Sequence, residues 1–164
     1  MIIKEADRSN SQELAETSAN RVTISAMLEV YKSVFNQDGV LYCSAPVTSG
    51  KRYIDWLERI GKNFVDIDRA DRSYHESHFK EVIEPNRKHA QRFIGQLREE
   101  TEQIVIDPTA LTPIANWKQQ DWRSFWQQVI ERYVNTVFLI NDWQYSNGCV
   151  YEFWVAQKNE IPTL

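Results

Sequence analysis

Cysteine is scarce in this chain. Cys43 and Cys149 are the only two, without a C-x-x-C pair, so there is no disulfide framework and the composition suits a reducing compartment. Long apolar runs are lacking as well: nothing approaches the ~18 consecutive apolar residues that cross a bilayer, and no basic start with an apolar core and a small-residue cleavage site opens the chain. The expectation is a soluble, cytoplasmic protein with no membrane partner. Positive charge is not in excess. The formal charge of -4 and a pI of about 5.4 argue against a nucleic acid as the main partner, while small anions stay open because local basic groups decide those. Internal repeats, low-complexity segments and the glycine spacings of P-loops or dinucleotide fingerprints are absent. Aspartates 66, 68 and 71 lack the glycine and terminal glutamate of a calcium loop and are read as a solvated surface. His75 and His78, at i, i+3 around Glu76, lack a third ligand and are read as surface or partner contacts. No metal and no cofactor are expected.

What the chain does have is length for one domain, enough to bury roughly 70% of its unfolded surface without disulfides or metals. Aromatic residues make up 12%, and several can wall a pocket for a flat ligand. Residues 11–35 carry an apolar stripe at Val22, Met27, Leu28, Val30, Tyr31, Val34 and Phe35, closed by Asp38-Gly39; this predicts a helical extension over residues 1–39, packed on a sheet face or on a second subunit. Strands are expected at 40–47, 104–106, 137–140 and 161–164. Helices are expected at 53–60, from about 86 after Pro85 to 102, at 121–134 and at 150–158. Strands separated by helices predict an α/β fold over residues 40–164, Rossmann-like or flavodoxin-like, with a parallel sheet covered by helices on both faces.

Ligands of such sheets bind beyond the C-terminal strand ends. The stretch 136–152, TVFLINDWQYSNGCVYE, supplies a strand, a polar loop and a helix start in that order. Ser146, Asn147 and Gly148 fall where a helix has unpaired N–H groups and partial positive charge, a seat for an anion. Glu152 follows one turn into the helix and leans back toward that loop. The first strand likewise runs into Thr48-Ser49-Gly50-Lys51-Arg52, hydroxyls, glycine and cations that can wrap a phosphate or form a solvated turn. Ser49, Lys51, Asp107, Asp142, Ser146 and Glu152 are thus expected around one crevice.

The piece Trp143-x-x-Ser146-x-Gly148-x-x-x-Glu152, with Ala156 and Ile161-Pro162 after it, resembles the nucleoside 2-deoxyribosyltransferase-like superfamily, which includes N-glycosidases of nucleoside 5′-monophosphates. The run from Tyr42 through Ser44 to Arg52 is similar to the glycine-rich opening loop of the nucleotide hydrolases, and the likeness spans about residues 40–164 with 53–84 set aside. It implies cleavage of an N-glycosidic bond by hydrolysis or deoxyribosyl transfer. It further implies Glu152 as nucleophile, phosphate contacts from Ser44, Ser49, Gly50, Lys51, Arg52, Ser146, Asn147 and Gly148, and assembly as a homodimer or larger. A second carboxylate belongs to the pattern. Asp121 is the nearest match but lies about two helical turns further from Glu152 in sequence than the pattern sets, so either the helix is longer or Asp142 or Asp107 takes that role. Tyr42 and Trp143 are candidates to stack on a base, with core packing as the alternative. The chemistry suits a carboxylate, since glycosidic cleavage passes through an oxocarbenium-like state. Two further readings stay open: a non-catalytic module of the same fold that senses a nucleotide, and an NAD-consuming hydrolase.

Overall fold

The computed structural model describes the backbone of residues 3–35, 39–67 and 71–164 and, of these, the side chains of residues 17–35, 39–65, 67 and 71–164. Asp68 and the side chain of Asp66 lie outside the described residues.

Three short strands form one parallel sheet: β1 (Val40–Ser44), β2 (Ile104–Ile106) and β3 (Thr136–Leu139), in the order β2-β1-β3. Val40 stands beside Ile104 and Leu41 beside Thr136. The helices are α1 (Ile3–Val34), α2 (Lys51–Arg59), α3 (Arg72–His78), α4 (Glu84–Glu100), α5 (Gln119–Tyr133) and α6 (Asn147–Lys158). The architecture is α/β, a parallel sheet flanked by helices together with an N-terminal helix, consistent with a Rossmann-like or flavodoxin-like arrangement.

Strand alternation divides the core. Val40 and Tyr42, with Ile106 and Val137, face α1, α5 and α6 through Leu28, Phe125, Val129 and Val155. Leu41 and Cys43, with Val105, face α4 through Ala90 and Ile94. Because β1 is buried on both faces it reads as a continuous apolar run, as central parallel strands do. Ile24 and Leu28 place α1 in the same core as the sheet.

Several boundaries differ from the sequence reading. β1 stops at Ser44 rather than 47, two residues before Pro46, which has no N–H for a ladder. The terminal segment expected as a strand at 161–164 is reduced to a single parallel bridge between Thr163 and Val137, with Leu139 N–H donating to the Leu164 carbonyl at 2.9 Å. Residues 61–74, expected to be irregular, contain a 3-10 turn (Phe64–Asp66) and the start of α3. Pro85 does not restart a helix: α3 continues through a π-helical turn (Phe79–Ile83) into α4. Proline inside a helix crowds the carbonyl four residues back and removes a hydrogen bond, and the wider turn before Pro85 relieves that crowding.

Phe125 has no exposed surface and sits edge-on to Tyr31 at 5.5 Å and to Trp117 at 5.7 Å. Phe125→Ala is expected to lower unfolding free energy by about 3–5 kcal/mol, read by urea denaturation; a loss under 1 kcal/mol would show that α1 and α5 do not share a packed core.

Candidate functional site

At the C-terminal end of β1, Tyr42 and Ser44 are two residues apart and therefore share a face, the one covered by α6. Both side chains end on one carboxylate. Tyr42 OH donates to Glu152 Oε1 at 2.8 Å, and Ser44 Oγ donates to Glu152 Oε2 at 2.6 Å. Glu152 stands one turn inside α6, whose N-cap is Ser146. Burial raises the Glu152 pKa to about 6, and the Ser44 and Tyr42 hydrogen bonds pull the other way. The carboxylate is still mostly ionised at neutral pH, but burial rather than the helix N-terminus dominates its titration.

Glu152 lines a cleft of about 550 Å³, within the range of small-molecule sites. Ser146, Asn147, Gly148 and Cys149 form one end of it. The Ser146 hydroxyl does not cap the helix; it accepts from Ser49 Oγ at 3.2 Å and ties the two loops together. A Cβ on Gly148 would meet nothing nearer than Ser146 Oγ at 3.8 Å, so internal packing does not require glycine there. The loop after β1 is held on several sides. Asn86 Nδ2 donates to the carbonyls of Val47 at 3.0 Å and Ser49 at 3.1 Å, and His78 Nε2 lies 2.9 Å from the Thr48 carbonyl. Gly50, with φ +92 and ψ -176, makes the turn into α2.

The expected site residues separate into groups. Ser49, Ser146, Asn147, Gly148 and Glu152 meet at the cleft. Ser44 is fully buried and serves Glu152 rather than a phosphate. Gly50 gives its N–H to the Tyr145 carbonyl at 3.2 Å. Lys51 and Arg52 point elsewhere, into a cavity of about 300 Å³ with Asn86, His89 and Asp142. Lys51 pairs with Asp55 at 2.7 Å, and Arg52 donates to Asn86 Oδ1 at 2.9 Å. Asp142, at φ +69, is exposed there and not at the cleft.

Asp121 does not face Glu152 either. It occupies the third position of α5, where it accepts from the Lys118 backbone N–H at 2.8 Å and from Asn20 of α1 at 3.2 Å. Asp107 accepts from the Thr109 N–H and hydroxyl at 2.8 and 2.6 Å. The two stacking candidates offer no face to a ligand in the cleft. The Tyr42 ring is fully buried against Trp126, and Trp143 packs on Phe153 with ring centroids 4.8 Å apart.

The cleft instead takes its aromatic wall from Tyr53, Phe64, Tyr74, His75 and His78. Tyr74 and His78 stack at 5.5 Å, His78 stacks on Trp56 at 5.6 Å, and the Tyr53 and Tyr74 hydroxyls lie 2.9 Å apart. The signal was present in the sequence as aromatic rings at i, i+4 in α3, within a stretch read as solvated. Gln119 and Arg123, one turn apart on α5, close the far side, and Arg123 lies over the Tyr151 ring at 5.7 Å. Burial pushes the Cys149 thiol up to about 12, which keeps it protonated and a poor nucleophile.

Among the described residues, no group of three metal-ligating side chains forms and no helix is long and apolar enough to cross a membrane. No protein-family model, curated protein or solved structure matches the chain. The chemistry is therefore argued from this geometry.

Two outcomes follow. A Cβ at Gly50 would stand 2.7 Å from Pro46 Cβ, in a backbone region that is essentially glycine-only; Gly50→Ala is expected to lose about 1–3 kcal/mol in thermal or urea unfolding. The raised Glu152 pKa means the folded state holds its proton more tightly than the unfolded state. Its contribution to stability is therefore full below the ordinary glutamate value and disappears as pH rises through about 6. Wild type should thus lose stability relative to Glu152→Gln between about pH 4.5 and 6, on the order of 2 kcal/mol in all; a difference that does not vary with pH would contradict the burial.

Proposed function

We propose that the protein cleaves the N-glycosidic bond of a nucleotide or nucleoside, as a hydrolase or deoxyribosyltransferase of the nucleoside 2-deoxyribosyltransferase-like kind, with Glu152 as nucleophile. The observation that carries this reading is the carboxylate held by Tyr42 and Ser44 on the floor of a cleft that also receives the N-terminal turn of α6. An ionised carboxylate beside an anomeric carbon stabilises oxocarbenium character or forms a glycosyl ester, which water or a second base then opens. The α6 N-terminus with Ser49 and Ser146 supports a 5′-phosphate, and the wall of Tyr53, Phe64 and Tyr74 supports a planar base.

Homo-oligomerisation and a cytoplasmic setting belong to the same proposal; Val22 and Val30 of α1, 68% and 61% exposed, offer an apolar strip for a second copy. A nucleotide sensor without turnover is the second reading. It is favoured by Glu152 being the single carboxylate lining the cleft among the described residues. Hydrolysis of NAD shares the same glutamate chemistry.

Ribo- and deoxyribonucleoside 5′-monophosphates, the free nucleosides and NAD, each followed by chromatography for released base, separate these readings. Wild type is expected to release base, and Glu152→Gln to lose several orders of magnitude in kcat. Ligand-induced rises in melting temperature without turnover would sink the enzyme and favour the sensor. Because attack needs the ionised carboxylate, kcat/KM should fall on the acid side with an apparent pKa near 6. Gly148→Ala is expected to leave stability unchanged or slightly higher and yet raise KM for a 5′-monophosphate; an unchanged KM would remove the phosphate from the α6 N-terminus.

A further inference from the structure

Releasing a neutral base is easiest when its ring is protonated, and the nucleophile cannot supply that proton because Glu152 must be ionised to attack. The carboxylates considered for this task are engaged elsewhere: Asp121 with Lys118 and Asn20, Asp107 with Thr109, and Asp142 in the other cavity. Other titratable groups of the cleft are less suited to give a proton near neutral pH. The Cys149 thiol is held protonated by burial, up to about 12. Tyr53 and Tyr74 bond to each other through their hydroxyls. His78 is fixed between Trp56 and Tyr74 with Nε2 on the Thr48 carbonyl, and burial lowers its pKa toward the neutral ring. His75 precedes it by three residues on α3, lines the same cleft, and remains exposed with its ring edge-on to Tyr74 at 5.5 Å. Imidazole is the side chain type best suited to give and take a proton near neutral pH.

We propose that His75 is the acid that protonates the departing base, and that the substrate is accordingly a nucleotide whose base carries a basic ring nitrogen, a purine or cytosine. This rests on the glycosidase reading. As the bond from the anomeric carbon to nitrogen breaks, its electron pair stays with the base, which takes a proton from the His75 imidazolium. The Glu152 carboxylate bonds to the anomeric carbon. In the second half, neutral His75 takes a proton from the attacking water, the ester opens, and both side chains return to their starting states. The sum is nucleotide plus water giving base plus sugar phosphate. Tyr74 and Phe64 supply the wall that holds the base beside the imidazole.

The test compares leaving groups. Wild type, His75→Gln, His78→Gln and Glu152→Gln are assayed on the adenine, guanine and cytosine 5′-monophosphates and on 7-methylguanosine 5′-monophosphate, whose ring is already cationic and leaves without a proton. In single-turnover base release, the half-reaction in which His75 acts as acid, His75→Gln is expected to lose about 10²-fold or more in rate on the unmodified nucleotides and to keep most of the rate on the methylated one, with an unchanged melting temperature. His78→Gln, which only frees the Thr48 loop, should lower both alike. Equal loss on both substrates in His75→Gln, or no loss on either, overturns the assignment and leaves the glycosidase reading intact. The same leaving-group signature in Asp66→Asn or Asp68→Asn, with His75→Gln unaffected, also overturns it. No base released by wild type, or equal release by Glu152→Gln, removes the glycosidase reading itself and His75's role with it.

Discussion

The structure turns on one half-buried carboxylate shared between a central strand and a peripheral helix. Glu152 sits where Tyr42 and Ser44 of β1 can each reach one of its oxygens. Hydrogen bonds to a charged group contribute about 1.5–3 kcal/mol each, and they oppose a desolvation that alone would drive the group neutral. The balance leaves it titrating near 6, above an ordinary glutamate. That contact also fixes α6. It ties α6 to β1, and the first turn of the same helix lines the cleft.

The loop after β1 shows how backbone geometry can override composition. Hydroxyls, glycine and two cations in a row read as a phosphate cradle, yet the chain divides them between two cavities. Ser49 lines both cavities, while Gly50 turns the chain so that Lys51 and Arg52 enter the first turn of α2 and lean away from the cleft. There they find Asp55, one turn on, and Asn86 of α4. Asn86 is the pivot of this division, since its amide holds two loop carbonyls while its oxygen holds Arg52.

Legibility in the sequence followed the range of the interaction. β2, β3 and α6 were readable because a buried parallel strand is a short apolar run and a helix start is a local signal. That Glu152, Ser146 and Gly148 would meet at one cleft was readable for the same reason: a few residues of helix decide their spacing. Tyr42, a candidate to stack on a base with core packing as the alternative, packs in the core, because which of the two a ring does depends on α5 and α6 closing over it. The wall of Tyr53, Tyr74 and His78 was missed, since it arises from α2 packing on α3 and the π-helical turn through Trp56 and Val82. No local pattern encodes that meeting.

Helix periodicity explains why Asp121 could not serve as the second acid. At about 100° per residue, Gln119 and Arg123 share one side of α5 and Asp121 lies about 200° from Gln119, on the side that meets Asn20 of α1. The face of α5 given to the cleft therefore carries an amide and a guanidinium, not a carboxylate. This alters the electrostatic character of the pocket. Among the described residues that line it, Arg123 and the α6 N-terminus lie around the half-buried Glu152, so an approaching ligand meets positive potential at the rim and negative potential at the floor. A molecule that is anionic at one end and develops positive charge at the atom placed against Glu152 satisfies both, and the sugar of a nucleotide losing its base is such a molecule.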